Sequence, residues 1–174
     1  MPTLSGPHLS FLVPLPQLVA AKNYRAASVT LRQVHFATVD LELHARYSPA
    51  PGSPPGGIYA VERAVAKRTC VLQPLPEDRF LCGFSHIFAG GYAAGYFSYK
   101  WAEVLSADAF AAFEEAGLKD DAKVRALGRK FRDTVLAYGG GKAPLDVFVE
   151  FRGRPPSTEP LLRHSGLLAG AAAR

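Results

Sequence analysis

The sequence predicts an all-α protein, and three observations carry that expectation. From Gln17 to about Tyr47 the chain runs without a glycine or proline, long enough for one extended helix. Beyond it, apolar residues recur at helical spacing in segments that begin or end at Gly, Pro, Asp or Ser. Nothing in the 174 residues requires a sheet of more than a strand or two. The length suits one domain with a sizeable core, and apolar and charged contents of 48% and 20% belong to an ordinary globular protein.

In chain order, residues 1–13 carry Pro2, Gly6 and Pro7 without periodicity and read as an irregular arm. Pro14 and Pro16 punctuate the start of the long helix. Along it, Ala20, Tyr24, Ala27, Leu31 and Val34 form one apolar stripe, and Val29, Phe36 and Leu43 a second. Two stripes predict a central strut buried on more than one side. SPAPGSPPGG (48–57) is a loop by composition, Ile58 to Thr69 a short amphipathic helix, and VLQPLPEDRFLCGF after it extended. A helix opening after Gly91 is expected to continue to Ala116 and stop at Gly117. Asp120 and Asp121 begin another, about Ala122 to Ala137, ended by the glycines at 139–141. Pro144 opens a helix to about Phe151, and Ser157 or Thr158 caps a last short one carrying Leu161, Leu162 and His164. Residues 14–168 are therefore read as one helical unit and 169–174 as a frayed tail.

The stretch FSHIFAGGYAAGYFSYKW, from Phe84 to Trp101, concentrates aromatic hydroxyls, His86 and the pair Gly90 and Gly91. On a helix Tyr92, Tyr96 and Tyr99 fall at i, i+4 and i+7, so three phenols share one face, with Ala94, Phe97, Trp101 and Val104 on the other. That is how a helix lining a polar cleft is written, continued by Glu103 and Ser106. The blander alternative is an amphipathic packing helix whose hydroxyls find local partners, with His86 a hydrogen-bonded structural residue. Paired glycines before a helix permit positive φ or close backbone approach, which ligand loops use. Asp108 and the Glu114–Glu115 pair resemble a carboxylate dyad but read as solvated acids on a helix of Ala and Phe neighbours.

This stretch resembles the C-terminal part of the catalytic domain of the thimet oligopeptidase and oligopeptidase A family of zinc metallopeptidases. His86, the Gly90–Gly91–Tyr92 turn, Tyr96, Tyr99, Lys100–Trp101 and AEVLSADAF carry the resemblance. It extends from VAAKNYRAASVTLRQVHFATVDLELH to LLRHSGL, and is to the oligopeptidase A branch with its plant and algal organellar relatives. It implies a peptide cleft in which Tyr92, Tyr99 and His86 assist catalysis opposite a zinc ion, while Tyr96, Gly90 and Gly91 contact substrate. Phe97 stands where relatives often have tyrosine, on the opposite face, with little consequence expected.

The family also implies zinc, held by HExxH and a glutamate from the next helix. Histidines at i and i+4 face the metal together, and the intervening glutamate deprotonates its water. This sequence contains no HExxH, and no two of His8, His35, His44, His86 and His164 stand at that spacing. His35 and His44 are better explained as surface or core polar residues. No metal is therefore expected on this chain alone, which should be inactive without a chain carrying the zinc half. The alternative is a non-catalytic structural or interaction subunit of a larger assembly. An independent enzyme built on His86 and a tyrosine lacks a nucleophile elbow, phosphate loop or convincing carboxylate pair.

Composition narrows the partners. The formal charge of +5 is spread out, its densest patches being Lys123, Arg125, Arg129, Lys130 and Arg132 on one helix and Arg152 with Arg154 beyond it, so nucleic acid is not expected, while short peptides are the partner that the resemblance implies. No apolar stretch approaches a membrane span, since LSFLVPLPQLVAA is broken by Pro14 and Pro16. Cys70 and Cys82 suggest neither a metal nor a redox pair, and a disulfide is not indicated. An intracellular protein is expected, cytoplasmic or, if imported, in chloroplast or mitochondrion. The N-terminus shows neither a basic n-region nor an Arg- and Ser-rich leader.

Overall fold

The computed structural model describes residues 15–50 and 56–168. The arm expected at residues 1–13, the tail at 169–174 and residues 51–55 of the Pro-rich loop lie outside the described residues. Among those described there is no strand, so the all-α expectation holds. The elements are α1 (Leu15–Ala21), α2 (Ala26–Ala45), α3 (Gly57–Thr69), α4 (Phe80–Gly83), a 3₁₀ turn (Ser85–Ile87), α5 (Ser98–Ala116), α6 (Asp121–Phe131), a π turn (Arg132–Leu136), α7 (Pro144–Arg152) and α8 (Glu159–His164).

The long strut is not continuous. Between α1 and α2 the chain turns through Arg25 at φ +57°, although neither Gly nor Pro stands there. A tertiary contact accompanies the break. The turn after α8 packs against it, and Asn23 Nδ2 lies only 2.7 Å from where a Cβ on Gly166 would stand. Nor is the strut buried on two sides. His35, Phe36, Val39, Asp40 and Leu43 are buried on one face of α2, while Tyr24, Val29, Leu31 and Val34 are exposed.

That buried face joins Val65 of α3 with Leu81, Phe84, Ile87 and Tyr96 in one core. Phe36 is its hub: the Phe80 ring stacks on it at 4.7 Å, and Phe84 and Tyr96 lie at 4.9 and 5.9 Å. His35 is a core histidine. Thr69 Oγ1 donates to the Val65 carbonyl at 2.9 Å and so accepts from His35 Nδ1 at 2.8 Å. Burial, with Arg32 beside it, lowers the His35 pKa.

The second half packs α6, α7 and α8 around α5. Val104, Ala107, Ala111 and Ala112 of α5 are buried, as are Val147, Phe148 and Phe151 of α7. Gly117 ends α5 at φ +92° as expected, and Asp120 caps α6 by accepting the Lys123 N–H at 3.1 Å. The helix expected to reach Ala137 does so with an interruption: it is α-helical to Phe131, passes through the π turn, where Thr134 Oγ1 donates to the Lys130 carbonyl, and is α-helical again at Ala137 and Tyr138. Pro144 opens α7 as predicted. Before α8, Ser157 Oγ accepts the Glu159 N–H at 3.2 Å, so the serine serves as the cap and the threonine does not.

Of the α5 acids read as solvated, Asp108 is not, whereas Glu115 stays largely exposed and Glu114 partly so. Asp108 is fully buried, receiving Arg152 Nε at 3.0 Å, both terminal nitrogens of Arg154 at 2.6 and 2.7 Å, and the Ser157 N–H at 2.8 Å. Glu115 takes a bidentate pair from Arg152 at 2.7 and 2.9 Å, and Glu114 faces His164 and Arg163. These groups lock α7 and α8 onto α5. They form no dyad.

Candidate functional site

The helix expected to begin after Gly91 begins six residues later, at Ser98. Residues 93–97 form turns. Gly90 N–H donates to the Ser85 carbonyl at 2.8 Å and Tyr92 N–H to the His86 carbonyl at 3.0 Å, folding the glycine pair back over the 3₁₀ turn. Ala94 then takes φ +54°, which reverses the chain into α5.

The three phenols are nevertheless together. Tyr99, on the first turn of α5, has its ring 5.0 Å from Tyr92 and 5.2 Å from Tyr96. His86 flanks the group, 6.0 Å from the Tyr92 ring and 6.2 Å from that of Tyr96. They do not share equal exposure, as one helical face would require. Tyr96 is buried at 9% exposure and belongs to the core, whereas Tyr92 at 37% and Tyr99 at 40% stand open with His86. The face meant to bury does so only at Val104: Phe97 and Trp101 are 46% and 50% exposed.

The chemistry of the cluster is that of neutral donors. Its hydrogen bond with Tyr92, aided by residual burial and the neighbouring phenols, pushes the Tyr99 hydroxyl up to about 12. Burial likewise raises Tyr96. Both phenols therefore keep their protons through any physiological pH.

Sequence reasoning missed two residues of α2 that hold this arrangement. Asp40, fully buried, accepts the Ala94 N–H on Oδ1 and the Tyr96 N–H on Oδ2, each at 2.9 Å. Gln33 Oε1 accepts the Tyr96 hydroxyl at 2.9 Å. The available signal was a lone acid inside the apolar face formed by Phe36, Val39 and Leu43, since an unpaired charge there would be costly.

Tyr92, Tyr99, His86, Gly90 and Gly91 are exposed on one open face. A pocket of about 500 Å³ lies elsewhere, between α2, α3 and the 71–80 segment, and is walled by His35, Phe36, Glu62, Cys70 and Phe80. None of the predicted site residues lines it. Both cysteines are free thiols. Among the described residues no three His, Cys, Asp or Glu side chains gather as a metal site. No helix among them is long and apolar enough to cross a membrane.

Comparison with known proteins decides the family. The model of peptidase family M3 matches residues 14–167. The chain belongs to peptidase family M3. It is 66% identical over 156 residues to the probable cytosolic oligopeptidase A of Arabidopsis thaliana, covering 90% of this chain and 22% of that protein. It is equally similar to the organellar, chloroplastic/mitochondrial oligopeptidase A of the same plant, covering 19% of that protein. Oligopeptidase A of Escherichia coli is 44% identical over 153 residues, 88% of this chain and 22% of the relative. The chain thus spans about a fifth of the length of the M3 relatives it matches. M3 enzymes are zinc metallopeptidases, and the phenol cluster lies within the segment that matches them.

Proposed function

We propose that these residues form the substrate-binding wall of an oligopeptidase cleft that acts on short peptides. The observation that carries the reading is the convergence of the exposed Tyr92, Tyr99 and His86 around the buried Tyr96 within a chain of the M3 family. Tyr92, Tyr99 and His86 take the catalytic roles of donors to the scissile carbonyl as it becomes an oxyanion, and Tyr96, Gly90 and Gly91 bind substrate backbone.

The physical support is the protonation of the cluster. A donor aimed at developing negative charge must not itself ionise, and the raised pKa of Tyr99 secures that. Residues 14–168 act as one helical unit supporting this face. The hydrolytic water and its zinc are supplied by residues outside these 174, since HExxH is absent from them. By themselves they are proteolytically silent. The setting is intracellular, as the names of the plant relatives suggest, and neither nucleic acid nor membrane takes part.

The test is hydrolysis of a quenched peptide with zinc present, by this chain alone and by its mixture with the HExxH-bearing portion of an oligopeptidase A. Hydrolysis in the mixture alone, lost in Tyr99→Phe, supports the reading. Hydrolysis by the chain alone, or none in a mixture shown to have formed a complex, rejects it.

One observation favours a second reading, an interaction subunit without catalysis. Leu15, Leu18, Val19, Val29, Leu31 and Val34 all lie exposed along α1 and α2. A partner covering these side chains without supplying zinc would make the phenol cluster a relic.

A further inference from the structure

Asp40 lies beneath the phenol cluster and touches it only through the backbone. One carboxylate oxygen accepts from Ala94 and the other from Tyr96, each at 2.9 Å. His44 Nδ1 stands 2.9 Å from Oδ1 and 2.9 Å from the carbonyl of Asp40 itself, two acceptors, so that nitrogen carries the proton and donates. Seven residues earlier, two turns back on the same face of α2, Gln33 accepts the Tyr96 hydroxyl. One helix therefore grips the 94–96 turn by its backbone and by its central ring.

The turn needs that grip. Residues 92–97 lack a helical hydrogen-bond ladder, and Ala94 is at φ +54°, a conformation unfavourable for alanine. Tyr92 and Tyr96 are carried on this segment and Tyr99 on α5, so the shape of the turn sets the spacing between the rings.

We infer that Asp40 is the positioning residue of the phenol cluster, its carboxylate fixing the 94–96 turn and hence the placement of Tyr92 and Tyr96 against Tyr99. Its functional meaning rests on the peptide-cleft reading; its geometric content does not. Donors displaced by about 1 Å lose much of their value to a reacting carbonyl, so a residue that touches no peptide governs how one is held.

The test is NMR on the whole chain carrying Asp40→Asn, beside Asp108→Asn, which alters an equally buried carboxylate away from the tyrosines. Asparagine offers one acceptor oxygen and an NH₂, so one of the two backbone N–H groups must face a donor. In D40N, amide exchange at Ala94 and Tyr96 is expected to rise about tenfold or more, and the Tyr92–Tyr99 ring contact to weaken. Affinity for the quenched peptide should fall about tenfold. D108N should leave all three unchanged while lowering stability, which separates positioning from general destabilisation.

Unchanged exchange and ring contacts in D40N overturn the inference, whatever the peptide does. Moved rings with unchanged affinity overturn its functional half. A wild-type chain that binds no peptide removes the cleft reading, and the ring contacts still decide the geometry. Should D40N not fold, Gln33→Ala releases the Tyr96 hydroxyl alone, and Tyr96–Tyr99 contacts that stay put in it count against control by α2.

Discussion

Arg152 Nε reaches Asp108 Oδ1 at 3.0 Å while the terminal nitrogens of the same guanidinium take both oxygens of Glu115. One side chain of α7 thus spans two carboxylates of α5, one fully buried and one at the surface. Burial alone would raise the Asp108 pKa, but hydrogen bonds from Arg154, the Ser157 N–H and Arg152 outweigh it and hold the carboxyl below its ordinary value.

The sign of the pH effect follows. A group whose folded pKa is depressed adds stability above its unfolded pKa, near 3.9, and loses it as pH falls through the lower folded value. Asp108→Asn should therefore cost about 3 kcal/mol at neutral pH, because Arg152, Arg154 and the Ser157 N–H lose the buried anion they donate to and Arg152 keeps only Glu115 at the surface. The gap between variant and wild type should narrow below about pH 4. Urea unfolding at pH 7 and pH 3 measures both, and an equal gap at the two values would sink the account.

Tyr99 gives a second prediction. The bond with Tyr92 is the largest cause of its raised pKa, so Tyr92→Phe should bring the Tyr99 titration down from about 12 toward the ordinary value near 10. Tyrosine-ring carbon shifts followed against pH resolve the change. In the reconstituted peptidase, Tyr99→Phe should lower kcat by about a hundredfold with little change in melting temperature, since the partly exposed ring is kept and only its hydroxyl is lost. A Tyr99 titration unmoved by the loss of Tyr92 would refute the pairing.

Helix periodicity made most of the fold legible, and its failures have local causes. The stops at Gly117 and the start at Pro144 hold because backbone chemistry at those positions is decided within a few residues. The break at Arg25 was not legible, since it coincides with packing of the turn at Gly166 some 140 residues away. The late start of α5 was hidden for a similar reason: Asp40 satisfies the amides of Ala94 and Tyr96 from another helix, so the segment need not be helical. Asp108 read as solvated because its neighbours in sequence are Ala and Phe, while its partners are on α7 and beyond. The phenols were placed together correctly, but by a turn and a helix start, which is why Tyr96 is buried when Tyr92 and Tyr99 are not.

The two glycines of the signature stretch should behave differently. At Gly90 a Cβ would stand 2.7 Å from His86 Cα and 3.0 Å from its carbonyl oxygen, both backbone atoms that cannot move aside. At Gly91 nothing lies within 4 Å, but φ is +83°. Gly90→Ala should cost about 2 kcal/mol and displace His86, whereas Gly91→Ala should cost about 1 kcal/mol through backbone strain alone. Thermal unfolding ranks the pair, and the His86 ring shift shows which one moves the site. A perturbed His86 in Gly91→Ala with none in Gly90→Ala would reverse the assignment.

The exposed apolar side chains on α1 and α2 supply the last prediction. Val29 is 55% exposed, and Leu31 and Val34 about two-fifths. Fully burying such a side chain is worth about 1.5–3 kcal/mol, so several of them left exposed on α1 and α2 favour association wherever a matching surface is present. The chain alone should self-associate at micromolar concentration, and Val29→Lys with Val34→Lys should restore a monomer without lowering the melting temperature, because neither residue belongs to the core. Sedimentation velocity reads the first and calorimetry the second. The same double variant should also weaken complex formation with the HExxH-bearing portion of an oligopeptidase A. If the wild-type chain sediments as a monomer and the double variant complexes as well as wild type, these side chains are ordinary exposed surface and α2 serves only the core and the 94–96 turn.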